Sequence, residues 1–161
     1  LDILADYIIA FLKLQIQAGA DVVQVFDSWS GLLSPDDFMR FEAPRLKRIV
    51  QEVKEFAPTI LFAKGSWYAL EEMSSYGAAL GLDWTMDPKW AREQTGKTTL
   101  QGNLDPCVLL GSMSSVEKAT RQMLDKFGTQ RYVANLGHGL MPNIPVENVK
   151  TFVQTVKNYG Q

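Results

Sequence analysis

Polar side chains that could do chemistry follow five short apolar segments of the sequence. They are Ser28, Lys64, Asp83, Asn103 and His138, and His138 is the only histidine in the chain. Hydroxyl, ammonium, carboxyl, amide and imidazole groups can together bind ligands and exchange protons. They can act jointly only if the fold brings the five segment ends to one edge, and their spacing alone does not say what would bind there.

The short motifs that would fix one chemistry are absent or incomplete. The sequence has no P-loop pattern, and the glycines at 137 and 139 lack the third glycine of a dinucleotide fingerprint because position 142 is proline. Ser28 lacks the two flanking glycines of a hydrolase nucleophile elbow. A triad of Ser28, His138 and an aspartate, or a metal site of His138 with carboxylates, would use common residue types without a supporting spacing.

Several of these residues also have a purely structural interpretation. Asp83 and Asp105 precede predicted turns and could cap them, and Lys64 could be a solvated charge. Cys107 follows a proline and is expected to be a small buried apolar residue. The tryptophans are expected to pack in the fold rather than to bind a ligand, and they are Trp29, Trp67, Trp84 and Trp90.

Apolar periodicity predicts a chain in which helices and strands alternate. Apolar residues at helical spacing indicate an amphipathic helix over 2–18. Runs rich in β-branched and apolar residues predict five strands, over 21–26, 58–63, 78–84, 98–104 and 131–136.

Capping signals place the helices between these strands. Ser34 and Asp87 each precede a proline, an arrangement typical of a helix start, and a capping box is predicted over 114–117. Pro44 is expected to break or kink the helix that begins at Ser34. Further helices are predicted over 67–76 and 146–158, and Gly128 is expected to end the helix between them that the capping box opens.

Five strand–helix units restrict the fold class. Strands separated by helices pair in parallel through right-handed crossovers, which leaves an open doubly wound sheet or part of a closed (β/α)8 barrel. A full barrel needs about 250 residues, and this chain has 161 and begins at Leu1 without an initiator methionine. We therefore expect an α/β fold in which residues 1–161 form a single domain, the C-terminal part of a TIM-like barrel that lacks its N-terminal strands.

Composition excludes several classes of function. Lys and Arg number 16 against 18 Asp and Glu, a net charge of −2 that argues against a broad nucleic-acid-binding face. The single cysteine, Cys107, can form neither an internal disulfide nor a cysteine-cluster zinc site. No apolar run approaches the roughly 20 residues of a membrane span. In the absence of a recognisable leader, we expect a cytoplasmic location.

Four motifs carry a resemblance to a known family. They lie in residues 19–31, 81–85, 100–106 and 135–140, and they include Phe-Asp-Ser-Trp-Ser-Gly, Gly-Leu-Asp-Trp-Thr, Leu-Gln-Gly-Asn-Leu-Asp-Pro and Asn-Leu-Gly-His-Gly-Leu. In this order and spacing they resemble the uroporphyrinogen decarboxylases. The resemblance runs from Leu1 to the C-terminus.

The resemblance implies a cofactor-free (β/α)8 barrel, usually a homodimer, that acts in haem biosynthesis. Such an enzyme removes CO2 from the four acetate arms of uroporphyrinogen and releases coproporphyrinogen. Ser28 and His138 match family positions that bind carboxylate arms of the substrate, and Phe26 and Phe62 match apolar walls of the cleft. The family's arginine cluster, central aspartate and substrate-contacting tyrosine belong to an N-terminal segment outside these residues, so the fragment alone is expected to be inactive.

Two alternatives stay open at this point. The chain could be a non-catalytic half-barrel or an assembly unit, because a half-barrel has unpaired strand edges that associate readily. It could also be a methyltransferase-like barrel enzyme of the same superfamily. The zinc-dependent branch of those enzymes uses a His-x-Cys pair and a distant cysteine, whereas this chain has one cysteine and one histidine far apart.

Overall fold

Five strands alternate with helices along the chain, as the sequence predicts. The computed structural model describes residues 1–160. The strands are Val23–Asp27 (β1), Thr59–Ala63 (β2), Ala79–Gly81 (β3), Leu100–Leu104 (β4) and Tyr132–Leu136 (β5). The α-helices are Asp2–Gln17 (α1), Pro35–Asp37 (α2), Ala43–Val53 (α3), Leu70–Ser74 (α4), Pro88–Thr95 (α5), Met113–Phe127 (α6) and Val146–Lys157 (α7). Single-turn 3-10 segments are Ser30–Leu32, Trp67–Ala69 and Pro106–Leu110, and Phe38–Glu42 is a π-helical segment.

The order of the strands decides between the two candidate architectures. All pairs are parallel, and the order in the sheet is β1-β2-β3-β4-β5. A doubly wound sheet reverses its strand order at a switch point, whereas a (β/α) barrel adds each strand beside the previous one. The chain therefore forms a five-stranded α/β arc of the TIM-barrel type, which confirms the expected fold class.

The core lies between the sheet and the helices. Val25, Leu61, Leu80 and Leu100 are buried, and they belong to one apolar cluster with residues of α1, α3 and α6. Because successive side chains of a strand point to opposite faces, the residues between them face the other side of the sheet. That side, the inner face, holds Gln24 of β1 among others.

The predicted helix starts at Ser34 and Asp87 are confirmed by their hydrogen bonds. The Ser34 hydroxyl accepts from the Asp37 N–H at 3.2 Å, and the Asp87 carboxylate accepts from two N–H groups of α5 at 3.0 Å each. The predicted capping box over 114–117 is wrong in register. Helix α6 begins two residues earlier, so Ser112 is its cap and accepts from the Ser115 N–H at 3.2 Å.

Pro44 distorts its helix without ending it. Residues Phe38–Glu42 widen into a π-helical turn, and α3 continues beyond it. A proline lacks the N–H that would bond the carbonyl four residues earlier, here that of Arg40. The Arg45 guanidinium approaches that carbonyl at 3.5 Å instead.

Other local predictions need correction. β3 covers only Ala79–Gly81, not 78–84, so Asp83 and Trp84 lie in the loop after it. Cys107 is exposed, not buried, because it lies on the outer side of a single 3-10 turn. Trp29 and Trp67 are 74% and 56% exposed, so neither packs into the core. Within residues 1–160, no helix has the length and apolarity needed to cross a bilayer.

Candidate functional site

The four residues that the family resemblance singles out line one hollow at the carboxyl ends of the strands. Phe26, Ser28, Phe62 and His138 surround a space of about 300 Å³ on the inner face. They come from β1, the loop after it, β2 and the loop after β5, and Phe26 and His138 lie more than a hundred residues apart in the sequence. The remaining lining residues are Gln24, Gly81, Leu82, Gln101, Asn135, Leu136 and Gly139.

The register of β1 and β2 builds the apolar wall of the hollow. Phe26 pairs with Phe62 across the two strands, and their ring centroids lie 5.5 Å apart. Phe62 is buried, whereas Phe26 is 68% exposed. An aromatic ring this exposed at the carboxyl end of a barrel strand offers apolar surface to a ligand.

His138 extends this wall into a chain of rings. Its imidazole lies 6.1 Å from the Phe62 ring on one side and 6.1 Å from the Trp84 indole on the other, edge to face in both cases. The Lys64 ammonium lies over the Trp84 ring at 5.0 Å. The imidazole is exposed, so its nitrogen atoms are accessible to a ligand in the hollow.

The loop that carries Ser28 is fixed by backbone hydrogen bonds. The Asp27 carboxylate accepts from the N–H groups of Trp29 and Ser30 at 2.7 and 2.8 Å. The Lys64 carbonyl accepts from the Ser30 hydroxyl at 3.0 Å and from the Gly31 N–H at 2.9 Å. The Ser28 side chain is thereby presented by a loop tied both to its own strand and to the next one.

Through its carboxylate, Asp83 fixes the loops that follow β2 and β3 in the same way. Its buried carboxylate accepts from the N–H groups of Gly65 and Thr85 at 2.7 and 2.8 Å. Its carbonyl and that of Met86 accept from the Asn103 amide at 2.8 and 2.7 Å. Asp83 and Asn103 therefore hold the loops together, in line with the structural interpretation of Asp83.

The close approach of two loops fixes the position of His138. Gly137 donates its N–H to the Leu104 carbonyl at 2.8 Å. A Cβ at Gly137 would lie 2.4 Å from the Trp84 nitrogen, so only glycine fits there. Gly139, on the other side of His138, has open space around it.

Asp105, which follows β4, caps the turn after it. Its carboxylate accepts from the Cys107 N–H at 2.8 Å, which confirms its predicted capping role.

An amide pair in the floor of the hollow was not predicted from the sequence. Gln101, which is 7% exposed, donates from its side-chain amide to the Gln24 side-chain oxygen at 3.1 Å. The two strands are not neighbours in the sheet, so this contact crosses the inner face. Gln24, the one polar residue in 22–26, was the available signal, but the run looks like a strand buried on both faces.

A carboxyl pair lies on the opposite side of β1 from the hollow. Glu42, in the π-helical turn, lines a space of about 430 Å³ together with Asp27 and apolar side chains of α1. Burial, and then the nearby Asp27 carboxyl, raise the pKa of Glu42 to about 8. One oxygen of Glu42 is buried without a hydrogen-bond partner. The pair is thus a candidate source of pH-dependent stability.

The structure does not assemble the triad or metal site considered from the sequence. Between residues 1 and 160, neither Ser28 nor His138 forms a hydrogen bond with a carboxylate. The same residues contain no group of three or more histidine, cysteine and acidic side chains placed to hold a metal ion.

The sequence of this chain is similar to the sequences of known proteins. A family model described as uroporphyrinogen decarboxylase (URO-D) matches residues 1–159. The uroporphyrinogen decarboxylase of Flavobacterium johnsoniae is 46% identical over 160 residues, which cover 98% of this chain and 47% of the relative. The human uroporphyrinogen decarboxylase is 44% identical over 171 residues, covering 100% of this chain and 47% of the relative.

A solved structure extends the comparison to three dimensions. A methyltransferase from Methanosarcina mazei matches with a TM-score of 0.88 at 26% identity, over 99% of this chain and 48% of that one. The chain thus spans about half the length of each of these relatives. Since the family model matches nearly every residue, the chain belongs to the uroporphyrinogen decarboxylase family.

Proposed function

We propose that this chain forms one wall of the substrate site of an enzyme that decarboxylates the four acetate arms of uroporphyrinogen to give coproporphyrinogen. The observation that carries the proposal is the common hollow of Phe26, Ser28, Phe62 and His138. We further propose that residues 1–161 are a single domain, an incomplete barrel whose remaining strands come from a segment outside these residues.

The chemistry of the reaction explains why such a wall is useful. An acetate on a pyrrole has no carbonyl group placed to accept the electron pair that CO2 leaves behind. Protonation of the adjacent ring carbon creates that acceptor, an iminium-like cation. Loss of CO2, protonation of the exocyclic carbon and release of the proton from the ring carbon then leave a methyl group on a restored pyrrole. Negative charge near the macrocycle stabilises the cation, and exclusion of water strengthens that interaction.

The residues of the hollow supply binding and exclusion of water. The Ser28 hydroxyl and the His138 imidazole donate hydrogen bonds to carboxylate arms of the substrate. The Phe26 and Phe62 rings lie against the macrocycle and keep water away from it. The central aspartate, the arginines and the tyrosine that the family resemblance implies belong to the missing part of the barrel. The reaction needs no cofactor.

Substitutions in the intact enzyme test these roles. We expect His138→Asn and Ser28→Ala each to lower kcat/KM for uroporphyrinogen by about 10–150-fold, since a hydrogen bond to a charged group contributes about 1.5–3 kcal/mol. Ser75→Ala, at the exposed serine directly after α4, is the matched control and should have no effect. Unchanged kcat/KM in both site variants would show that the site has been assigned wrongly.

The isolated chain should not turn over uroporphyrinogen, because the groups that stabilise the ring cation lie elsewhere. Full turnover by the purified 161-residue chain would contradict this. We also infer that the intact enzyme is a cytoplasmic homodimer, to be tested by sedimentation and by localisation of a tagged copy.

One observation favours a second candidate, a non-catalytic assembly unit. In the part of the chain that the structure describes, β1 and β5 each have an edge without a paired strand. The outer face of α1 exposes Leu4, Tyr7 and Phe11. Such surfaces associate readily. Light scattering decides between the two: a monodisperse monomer would count against assembly.

The methyltransferase-like alternative draws on the fold alone, since Cys107 and His138 do not belong to a zinc-ligand cluster in the described part of the chain.

A further inference from the structure

We propose that Lys64 is an additional substrate-binding residue, whose ammonium group binds a carboxylate of the substrate beside His138. The inference rests on the proposed function. It replaces the interpretation of Lys64 as a solvated charge.

Lys64 directly follows β2, at the carboxyl-end edge of the sheet where Ser28 and His138 line the hollow. Phe26 pairs with Phe62, and Lys64 lies two residues beyond Phe62, as Ser28 lies two residues beyond Phe26. Lys64 continues the strand ladder by donating its N–H to the Asp27 carbonyl at 2.8 Å. Because side chains at every second position share a face, Lys64 and Ser28 extend the row that begins with the two phenylalanines.

The side chain of Lys64 is held over an aromatic ring. Its ammonium lies 5.0 Å from the centroid of the Trp84 indole, and that indole contacts the His138 ring at 6.1 Å. A cation–π contact of this kind orients an ammonium group through one side only, so N–H donors on the other side stay available. Lys64 and His138 thus both contact the Trp84 ring.

The ammonium has no counter-ion within the described residues. Lys64 takes part in none of the ion pairs found between residues 1 and 160. The carboxylates that follow the neighbouring strands are occupied: Asp27 accepts from Trp29 and Ser30, and Asp83 accepts from Gly65 and Thr85. A partly buried cation without a counter-ion among these residues therefore lies over Trp84, the ring that contacts His138.

The proposed substrate supplies the missing counter-ion. Uroporphyrinogen carries eight carboxylates, and Ser28 offers only a neutral donor to them. A lysine adds a permanent positive charge, and charge-assisted hydrogen bonds are about twice as strong as neutral ones. A contact to a carboxylate away from the reacting centre stabilises the bound substrate and the transition state equally, so its loss raises KM and leaves kcat unchanged.

The test measures KM, kcat and their salt dependence in the intact enzyme for Lys64→Met, which keeps the apolar stem on Trp84 and removes the charge. We expect KM for uroporphyrinogen to rise about 10-fold, kcat to stay within about twofold, and the increase of KM with salt to become shallower. Lys64→Arg keeps the charge and the contact with the ring, and should restore KM to within about threefold of the wild type. Lys118→Met, at an exposed position on α6, is the matched control.

The outcomes separate the two proposals. Wild-type turnover of uroporphyrinogen tests the proposed function, and its absence would overturn both. If the wild type turns over uroporphyrinogen but Lys64→Met has the same KM and the same salt dependence as Lys118→Met, only the role of Lys64 is overturned. If Lys64→Met lowers the melting temperature, Lys64→Gln provides a second neutral variant. A KM for Lys64→Gln equal to that for Lys64→Arg would again contradict the inference.

Discussion

The two faces of the sheet differ in how completely this chain covers them. On the helix-facing side, Val25 is 7% exposed and Leu80 and Leu100 are fully buried. On the inner face, Phe26 is 68% and Val133 is 43% exposed. Apolar packing within the chain is complete on one side, while the other side keeps apolar and polar groups accessible.

This difference separates the side chains that stabilise the fold from those that line the candidate site. Side chains that face the helices contribute burial energy and have few alternatives in size or polarity. Side chains of the inner face near the carboxyl ends are free to meet a ligand, and the loops that hold them are fixed by buried polar groups such as Asp83. Substitutions can therefore separate effects on folding from effects on the site.

The largest expected effect is on the helix-facing side. Leu80→Ala should lower the free energy of unfolding by about 3 kcal/mol, because it leaves a cavity in a fully packed region. The matched pair Val25→Ala and Val133→Ala removes the same atoms from the two faces, and we expect losses of about 2 kcal/mol and less than about 1 kcal/mol. Urea denaturation measures all three, and equal losses for the two valines would contradict the contrast between the faces.

An intermediate effect is expected where the loops of the site touch. Gly137→Ala places a methyl group against the Trp84 backbone, and overpacking of this kind costs about 1–3 kcal/mol. It should also displace His138 and so lower kcat/KM in the intact enzyme. Gly139→Ala, two residues further on in open space, is the control. Similar melting temperatures for the two variants would show that the contact is not tight.

The smallest effect concerns the carboxyl pair on the far side of β1. The ordinary pKa of Glu42 is 4.5, and burial raises it to about 8 in the folded protein. Between these values only the folded state retains the proton, so stability is greatest at low pH and declines as pH rises toward 8. Because solvent screens a partly exposed carboxyl, we expect a loss of about 1 kcal/mol between pH 5 and pH 8.

Glu42→Gln should abolish this part of the pH dependence and make the protein more stable than the wild type at pH 8. Glu93→Gln, at an exposed glutamate of α5, should leave the dependence unchanged. Urea denaturation at the two pH values provides the comparison. An equal decline in stability from pH 5 to pH 8 in the wild type and in Glu42→Gln would refute the assignment.

Local signals in the sequence predicted much of the fold and part of the site. Ser34 and Asp87 begin helices where capping chemistry predicts, because a cap depends on residues only three positions away. The order of the strands was left open between two architectures, since it depends on pairing between distant segments. Cys107 was predicted to be buried but is exposed, because a short 3-10 segment has no periodic pattern that would indicate which side chains are buried.

The sequence by itself determined the elements, their alternation and the polar residues that follow each strand, because these depend on side-chain period and local hydrogen bonding. The resemblance that its four ordered motifs carry also singled out Phe26, Ser28, Phe62 and His138 as candidate site residues. Only the tertiary structure decided that these four share one hollow and that Gln24 meets Gln101 across its floor. It also placed the Lys64 ammonium over Trp84 with no counter-ion among residues 1–160. Those contacts join residues far apart in the chain, and parallel pairing in one register is what brings them within reach of one another.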